Sequence, residues 1–301
     1  MEFEYEKIGH EIRLKRCYGE EERVKVPKEI EGLPVTILAP YIFSEARREP
    51  DQGTAICGNQ VKEIVLPETI REIGNYAFYG CYYLEALTLS HRTKDIAGGA
   101  FTGCRHLKKL TFRMERAEGY CMKDVLSEVH HELKVNLLFE SGRCTLLFPE
   151  YYEEAVENTP ARQLETQFHG SGYSYRQCFQ DGVFQFGEYD RLFRDAQNLE
   201  SEDFCIELAV TRLMEQYQLS QDAQGIYQSY LMEHRMSAAG WCMEFEQNEI
   251  LEFLSEFIDW REEELIELIE ETNQKELLEI QSFLMDYKHQ HFRKKKKTFD
   301  L

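Results

Sequence analysis

No apolar stretch in the 301-residue chain approaches the roughly 18–20 residues that cross a bilayer as a helix, so no membrane span is expected. Cys-x-x-Cys pairs are also missing. The cysteines at 17, 57, 81, 104, 121, 144, 178, 205 and 242 are odd in number and widely spread. A secreted disulfide framework is normally even and compact, so these residues are expected as buried thiols in a reducing compartment. The opening Met1-Glu-Phe-Glu-Tyr-Glu6 lacks the basic start and apolar core of a secretory signal. Read as a native start, it places the protein in the cytoplasm. No excess of basic charge exists either. Residues 1–113 hold 17 Lys/Arg and 17 Asp/Glu, leaving 18 basic against 38 acidic side chains for the remainder. A field of that sign repels phosphate backbones, which argues against duplex nucleic acid as a partner of the second half.

What is present is globular in composition, with 43% hydrophobic and 13% aromatic residues. It is also repetitive. Val61-Lys-Glu-Ile-Val-Leu66 superposes on Leu84-Glu-Ala-Leu-Thr-Leu89 at an offset of 23 residues. Ile73-Gly-Asn-Tyr-Ala-Phe-Tyr-Gly-Cys81 then falls on Ile96-Ala-Gly-Gly-Ala-Phe-Thr-Gly-Cys104, and Leu84 on Leu107. A third unit starts at Leu107-Lys-Lys-Leu-Thr-Phe112, and a diverged earlier one reads Val35-Thr-Ile-Leu-Ala-Pro-Tyr-Ile-Phe43.

Each unit has a physical logic. Ile64/Leu66 and Leu87/Leu89 alternate with polar residues, the period of a strand with one buried face. Pro67 ends the first strand because it cannot donate to a ladder. Phe78 and Phe101 recur at one position and should stack inside the coil. Gly80 and Gly103 sit where the chain turns back with positive φ. Ile73, Ile96, Leu84, Leu107 and the small hydrophobes Cys81 and Cys104 complete the expected repeat core. One unit cannot bury its own face, so neighbours supply the core and the ends need caps. The alternation Ile8, Ile12, Leu14, Val24, Val26 predicts a hairpin closing the N-terminal end.

This pattern, L-x-x-L-x-L-P…I-x-x-x-A-F-x-G-C-x-x-L, resembles the BspA-like leucine-rich repeats of many bacterial proteins. The resemblance covers residues 1–113 or so. Two departures stand out: a longer loop over Ser44 to Gln60, and Ser90 where proline is usual. The resemblance implies a solenoid that binds other macromolecules and whose repeats carry no catalytic residues. The family's adhesin role needs export, which the opening residues do not signal.

Beyond the repeats, Lys123 to Leu133 predicts a capping helix. Leu133–Phe139 and Cys144–Phe148, around Glu140-Ser-Gly-Arg143, predict a hairpin. Pro149 with the acidic Glu150–Asn158 predicts a helix whose first turn suits its dipole. From Ser201 helical spacing dominates. One helix runs through Phe204, Leu208, Leu213 and Tyr217, and a second runs from Asp222 to Phe245, loosened at Gly240. A stripe follows at Ile250, Leu251, Leu254, Phe257 and Ile258. Leu265, Ile266, Ile269 and Leu277, Ile280, Leu284, Tyr287 belong to two helices parted at Thr272-Asn273. This ending has the look of ankyrin-type arrays without their Thr-Pro-Leu-His motif, and no family is identified for residues 114–301.

Chemistry is sparse. Phe168-His-Gly-Ser-Gly-Tyr-Ser-Tyr-Arg-Gln-Cys-Phe179 gathers His169, Ser171, Arg176 and Cys178. A Cys178 nucleophile with His169 as base needs both within hydrogen-bond reach. The Gly-x-Ser-x-Gly elbow is not matched, and Gly170-Ser-Gly lacks a P-loop lysine. A structural loop is the expectation, with an enzyme as the alternative. His130-His131 and His289-x-His291 lack ligand partners at metal spacing. The acidic run from Glu244 to Glu279 reads as a solvated helix face or a docking face for a basic partner. The tail Arg293-Lys-Lys-Lys-Lys297 offers a second alternative, a nucleic-acid- or membrane-associated regulator.

The sequence therefore predicts an α+β architecture. A leucine-rich-repeat solenoid of about three and a half coils spans residues 1–113. A capping helix and β-hairpin follow at 114–149, then an acidic helical domain with a basic tail at 150–301. The expected activity is non-catalytic protein binding through Lys62, Val65, Glu85 and Thr88 on the β face, with no cofactor or metal. The partner would be another protein, not nucleic acid. Phe101→Ala should cost roughly 3–5 kcal/mol in equilibrium unfolding. A loss under about 0.5 kcal/mol, typical of surface sites, contradicts the repeat register.

Overall fold

The computed structural model describes residues 1–115, 120–158 and 163–292. They fall into two compact units, Met1–Glu200 with Glu215–Gln218, and Ser201–Met214 with Leu219 onward. Residues 150–200 thus group with the repeats, whereas the sequence assigned them to the helical domain.

The first unit opens with β1 (Glu2–Ile8), β2 (Glu11–Tyr18), β3 (Arg23–Lys25), β4 (Glu29–Ile30) and β5 (Leu33–Leu38). It continues through β6 (Glu63–Val65), β7 (Glu72–Ile73), β8 (Ala86–Ser90), β9 (Asp95–Ile96) and β10 (Lys109–Arg113). Helix α1 (Tyr120–Glu128) precedes β11 (Leu133–Phe139) and β12 (Gly142–Phe148). Two sheets face each other across the core. In one, β2, β5, β7 and β9 run parallel, with β1 antiparallel at the edge. In the other, β3, β6, β8, β10 and β11 run parallel and β12 closes the edge antiparallel. Strand alternation explains the packing: Val24, Ile64, Leu87, Leu110 and Val135 share one register row, all buried.

Two expectations shift here. The solenoid has about five turns, because β11 of the predicted hairpin pairs in parallel with β10 and extends the sheet. The N-terminal hairpin is β1–β2, turned at Gly9-His10. Val24 lies in the opposite sheet, paired to β6.

The coils are joined along their turns by three ladders. Phe43 and Phe78 stack at 5.7 Å, and Phe78 and Phe101 at 5.2 Å, all buried. The Cys81 thiol donates to the Phe43 carbonyl and the Cys104 thiol to the Phe78 carbonyl, both at 3.2 Å. Along the backbone, the N–H of Phe43 donates to the Ala77 carbonyl and that of Phe78 to the Ala100 carbonyl. Phe101 has no further coil to donate to. There α1 intervenes: the Glu128 carboxylate accepts from the N–H groups of Gly99 and Phe101, both at 2.9 Å. At the other end the buried Arg16 of β2 holds the Ser44–Gln60 loop. It donates to the Asp51 carboxylate at 2.8 and 3.0 Å and to the carbonyls of Tyr41, Ile42 and Ser44.

The acidic stretch after Pro149 is a strand, not a helix. β13 (Tyr152–Asn158) pairs antiparallel with β14 (Gln163–His169), placing Tyr152 opposite His169. Tyr, Val, Thr and Phe suit a pleated ribbon, and the partner strand that decides the matter lies beyond the local pattern. Short elements complete the unit: α2 (Gly172–Arg176), β15 (Phe179–Gln180), β16 (Val183–Phe184), α3 (Phe186–Arg191) and α4 (Phe193–Leu199).

The second unit is helical: α5 (Glu202–Met214), α6 (Gln221–Glu233), α7 (Arg235–Glu244), α8 (Asn248–Leu254), α9 (Glu262–Gln274) and α10 (Leu278–His291). The break expected at Gly240 falls at His234, and Thr272 lies buried inside α9 instead of parting two helices. Glu264 fixes the start of α9 by accepting from the Arg235 and Arg261 side chains and from the Arg261 backbone N–H. The Arg235 guanidinium holds the Glu264 carboxyl down at about 2.

Glu128→Ala should lower the stability of the first unit by about 2–3 kcal/mol, since two donors lose a charged acceptor. Hydrogen exchange at the Gly99 and Phe101 amides reports it directly. Unchanged protection at both amides means that the carboxylate does not cap the stack.

Candidate functional site

The outward side of the sheet that runs from β3 to β12 presents side chains in rows set by the strand register. Lys25, Val65, Thr88, Thr111 and Asn136 are successive partners across β3, β6, β8, β10 and β11. The row ends where Thr145 of β12, buried, donates to Asn136 at 3.1 Å. At the strand entrances Glu85 sits between Lys62 and Lys108. Its N–H donates to the Lys62 carbonyl and its own carbonyl accepts from Lys108. Of the four predicted contact residues, Glu85 is exposed and Lys62, Val65 and Thr88 are half-buried. Lys62 also pairs with Glu22 at 2.8 Å, in an exposed pair of modest strength.

Just upstream of Glu85 lies a surface that the repeat analysis missed. Tyr76, Tyr79, Tyr82 and Tyr83, all from one coil, are each 38–45% exposed. Tyr76 stacks on Tyr41 of the preceding coil at 5.2 Å and meets Tyr79 edge-on. Tyr82 and Tyr83 meet edge-on and both pack against His106. Backbone strain goes into this edge. Tyr41 and Tyr76 occupy one coil position at φ 59° and 56°, where the next coil has Gly99 at φ 72°. A side chain in that left-handed region costs on the order of 1–2 kcal/mol. Gly99 is required in turn by the ring above it, since a Cβ there would lie 2.3 Å from Tyr76. The signal was present in the sequence as four tyrosines at non-core positions of one repeat.

Beneath these surfaces Ile64, Leu66, Ile73, Cys81, Leu84, Leu87, Leu89, Cys104 and Leu107 are buried, as are the two stacked phenylalanines. Ile96 is only half-buried, because β9 is the edge strand of its sheet. Burial pushes the Cys104 thiol up to about 12 and raises that of Cys81 well above its ordinary value.

The 168–179 loop is built as a structural joint. Arg176, buried, donates to the carbonyls of Val129, His131, Pro149 and Gly172, and its guanidinium lies 5.0 Å from the Tyr151 ring centroid. Ser171 donates through Oγ and N–H to Glu200 at 2.6 and 2.8 Å. His169 meets the Glu154 carboxylate at 3.0 Å and stacks on Tyr152. Cys178 instead donates to the Ser174 carbonyl. The three groups of the enzymatic alternative thus engage different partners. A cavity of about 430 Å³ borders Cys178, but burial, with Glu188 and Asp190 nearby, pushes its thiol up to about 12. That is opposite to what a thiolate nucleophile needs.

The histidine pairs are likewise occupied. His130 and His131 follow α1 instead of lying in it; His130 packs on Tyr151 and His131 bonds the Leu107 carbonyl at 2.7 Å. His291 bonds the Tyr287 carbonyl, and His289 borders a groove described below. Among the described residues no cluster of three or more His, Cys, Asp or Glu could hold a metal, and no helix is long and apolar enough to cross a membrane. The basic tail Arg293–Lys297 lies outside the described residues.

Parallel strands that alternate in burial, a phenylalanine stack and a turning Gly-Cys pair define a leucine-rich-repeat solenoid. Residues 54–133 match the family model of a BspA type Leucine rich repeat region, in 6 copies. The N-terminal part of the chain is therefore a leucine-rich-repeat solenoid, of which residues 54–133 match the BspA type. Two crystal structures are similar. A leucine-rich repeat protein of T. pallidum is 24% identical with a TM-score of 0.31, over 40% of this chain and 54% of that one. A leucine rich cell surface protein from Faecalibacterium prausnitzii A2-165 is 15% identical with a TM-score of 0.29, over 46% of this chain and 41% of that one. The chain spans about half of their lengths. No curated protein matches the chain.

Cys178 should react with a disulfide reagent at pH 7 at least about tenfold more slowly than free cysteine, because little thiolate is present. Mass spectrometry of the labelled peptide measures it in the folded protein. A rate above that of free cysteine restores the nucleophile reading.

Proposed function

We propose that the chain is a non-catalytic protein-binding module that grips another protein through the outward β face of its solenoid. Lys62, Val65, Glu85 and Thr88 mark that face, and the tyrosine edge that runs into Glu85 borders it. One observation carries the reading: four exposed tyrosines of one coil, Tyr76 among them on strained backbone, lie beside a register-aligned polar face. Tyrosine offers a large, rigid contact area at low entropic cost and is enriched where interfaces concentrate their energy. Backbone strain kept at an exposed position points the same way. The leucine-rich-repeat character of residues 54–133 agrees with an interaction role. The buried thiols of Cys81 and Cys104, acting as donors inside the stack, fit a reducing compartment such as the cytoplasm.

The test is capture from the native cell with the full chain as bait, beside Thr88→Arg and the pair Tyr82→Ala with Tyr83→Ala. A stoichiometric protein retained by the wild-type chain should bind each variant at least about tenfold more weakly, as for loss of an interface hot spot. The melting temperatures should stay within a few degrees, because the altered groups are surface ones. Equal retention by both variants, or catalytic turnover without any bound protein, overturns the proposal.

A further inference from the structure

The acidic run that the sequence left undecided gains a feature once α9 and α10 are folded. Their inner faces pack through Leu265, Leu268, Ile280 and Leu284, all buried. Beside that seam a second stripe stays open. Ile266 and Ile269 of α9 face Met285 of α10 and Phe292 at its C-terminal cap across a groove of about 490 Å³. Ile266 is 40% exposed and Met285 is 54% exposed. On α10 and its C-terminal cap the groove residues Met285, Lys288, His289 and Phe292 follow the i, i+3, i+4, i+7 spacing of one helical face.

The rim of this groove is acidic. Glu263, Glu267 and Glu270 share the α9 stripe of Ile266 by the same spacing, and all three are exposed. Lys288, the one lysine in the groove lining, lies 3.7 Å from Glu262, so its charge is already answered within the unit. An apolar floor between two helices, bordered by carboxylates with no ion pair among the described residues, has the form that accepts the apolar face of another helix. Charge complementarity then selects its flanks.

We propose that the α9–α10 groove is a docking site for a basic amphipathic helix of a protein partner. Leucine-like side chains of that helix would enter between Ile266 and Met285, with lysines or arginines set against Glu263, Glu267 and Glu270. This site belongs to the helical unit and the proposed solenoid face to the first unit, so the two binding surfaces differ in chemistry. Acidic steering raises the encounter rate and makes it salt-dependent.

Fluorescence anisotropy of the full chain with a labelled synthetic helix of about 16 residues tests it, the length giving four turns. Leucines recur at i, i+3, i+4 and i+7, and lysines fill the flanks. One control exchanges lysine for glutamate and another scrambles the order. The lysine helix should bind at least tenfold more tightly than either control, and binding should weaken at ~0.5 M salt. Ile266→Glu and Met285→Glu should each weaken it at least tenfold. The surface pair Glu267→Lys with Glu270→Lys should transfer the preference to the glutamate helix, a readout independent of the apolar variants. Equal binding of the three peptides, or variants that bind as the wild type does, overturns the site. So does a chain dimer that Met285→Glu dissolves, which assigns the groove to a second copy. A tenfold gain on removing residues 293–301 assigns it to the chain's own basic end and overturns it equally.

Discussion

Each coil of the solenoid leaves backbone donors that only its neighbour can accept. The amides of Phe43 and Phe78 find the carbonyls of Ala77 and Ala100 one coil on. The thiols of Cys81 and Cys104 reach back to the preceding phenylalanine carbonyls, and the rings between them stack. No single coil meets these needs alone, so the array is stable only if its ends are closed. At one end β1 pairs with β2, while Arg16 gathers three carbonyls and the Asp51 carboxylate around the long loop. At the other, Glu128 supplies the acceptors that a further coil would have provided.

The same constraint separates structural from functional residues. Groups that look reactive in the sequence are consumed in holding backbone together. Arg176 serves four carbonyls, Ser171 serves Glu200, and Cys178 is buried with a raised thiol. Among the described residues, what stands outside includes the register rows of the β3-to-β12 sheet, the tyrosine edge and the helical groove. The proposed binding role draws on these groups, which offer shape, rings and charge.

Much of the solenoid was legible because its rule is local and repeated. An offset of 23 residues, period-2 alternation and one phenylalanine per coil define the inward rows without any knowledge of distant contacts. The reading faltered where pairing is non-local. Leu133–Phe139 alternates like any hairpin strand, and nothing nearby says that it also joins β10 in parallel. Tyr152–Asn158 carries the marks of a helix start, yet β14 draws it into a ribbon. The tyrosine edge was visible as composition but not as a surface, since its meaning depends on which coil positions point outward.

By itself, then, the sequence determined the repeat, its buried face, and the contrast between a neutral first part and an acidic remainder. Those follow from periodicity and charge, which are properties of neighbouring residues. Only the tertiary structure decided which groups stay free to act. It placed Arg16, Glu128 and Arg176 on carbonyls and amides far along the chain, left Tyr76 standing over Gly99, and opened a groove between α9 and α10. Such assignments depend on satisfying buried donors and acceptors across long separations, and no local pattern encodes that.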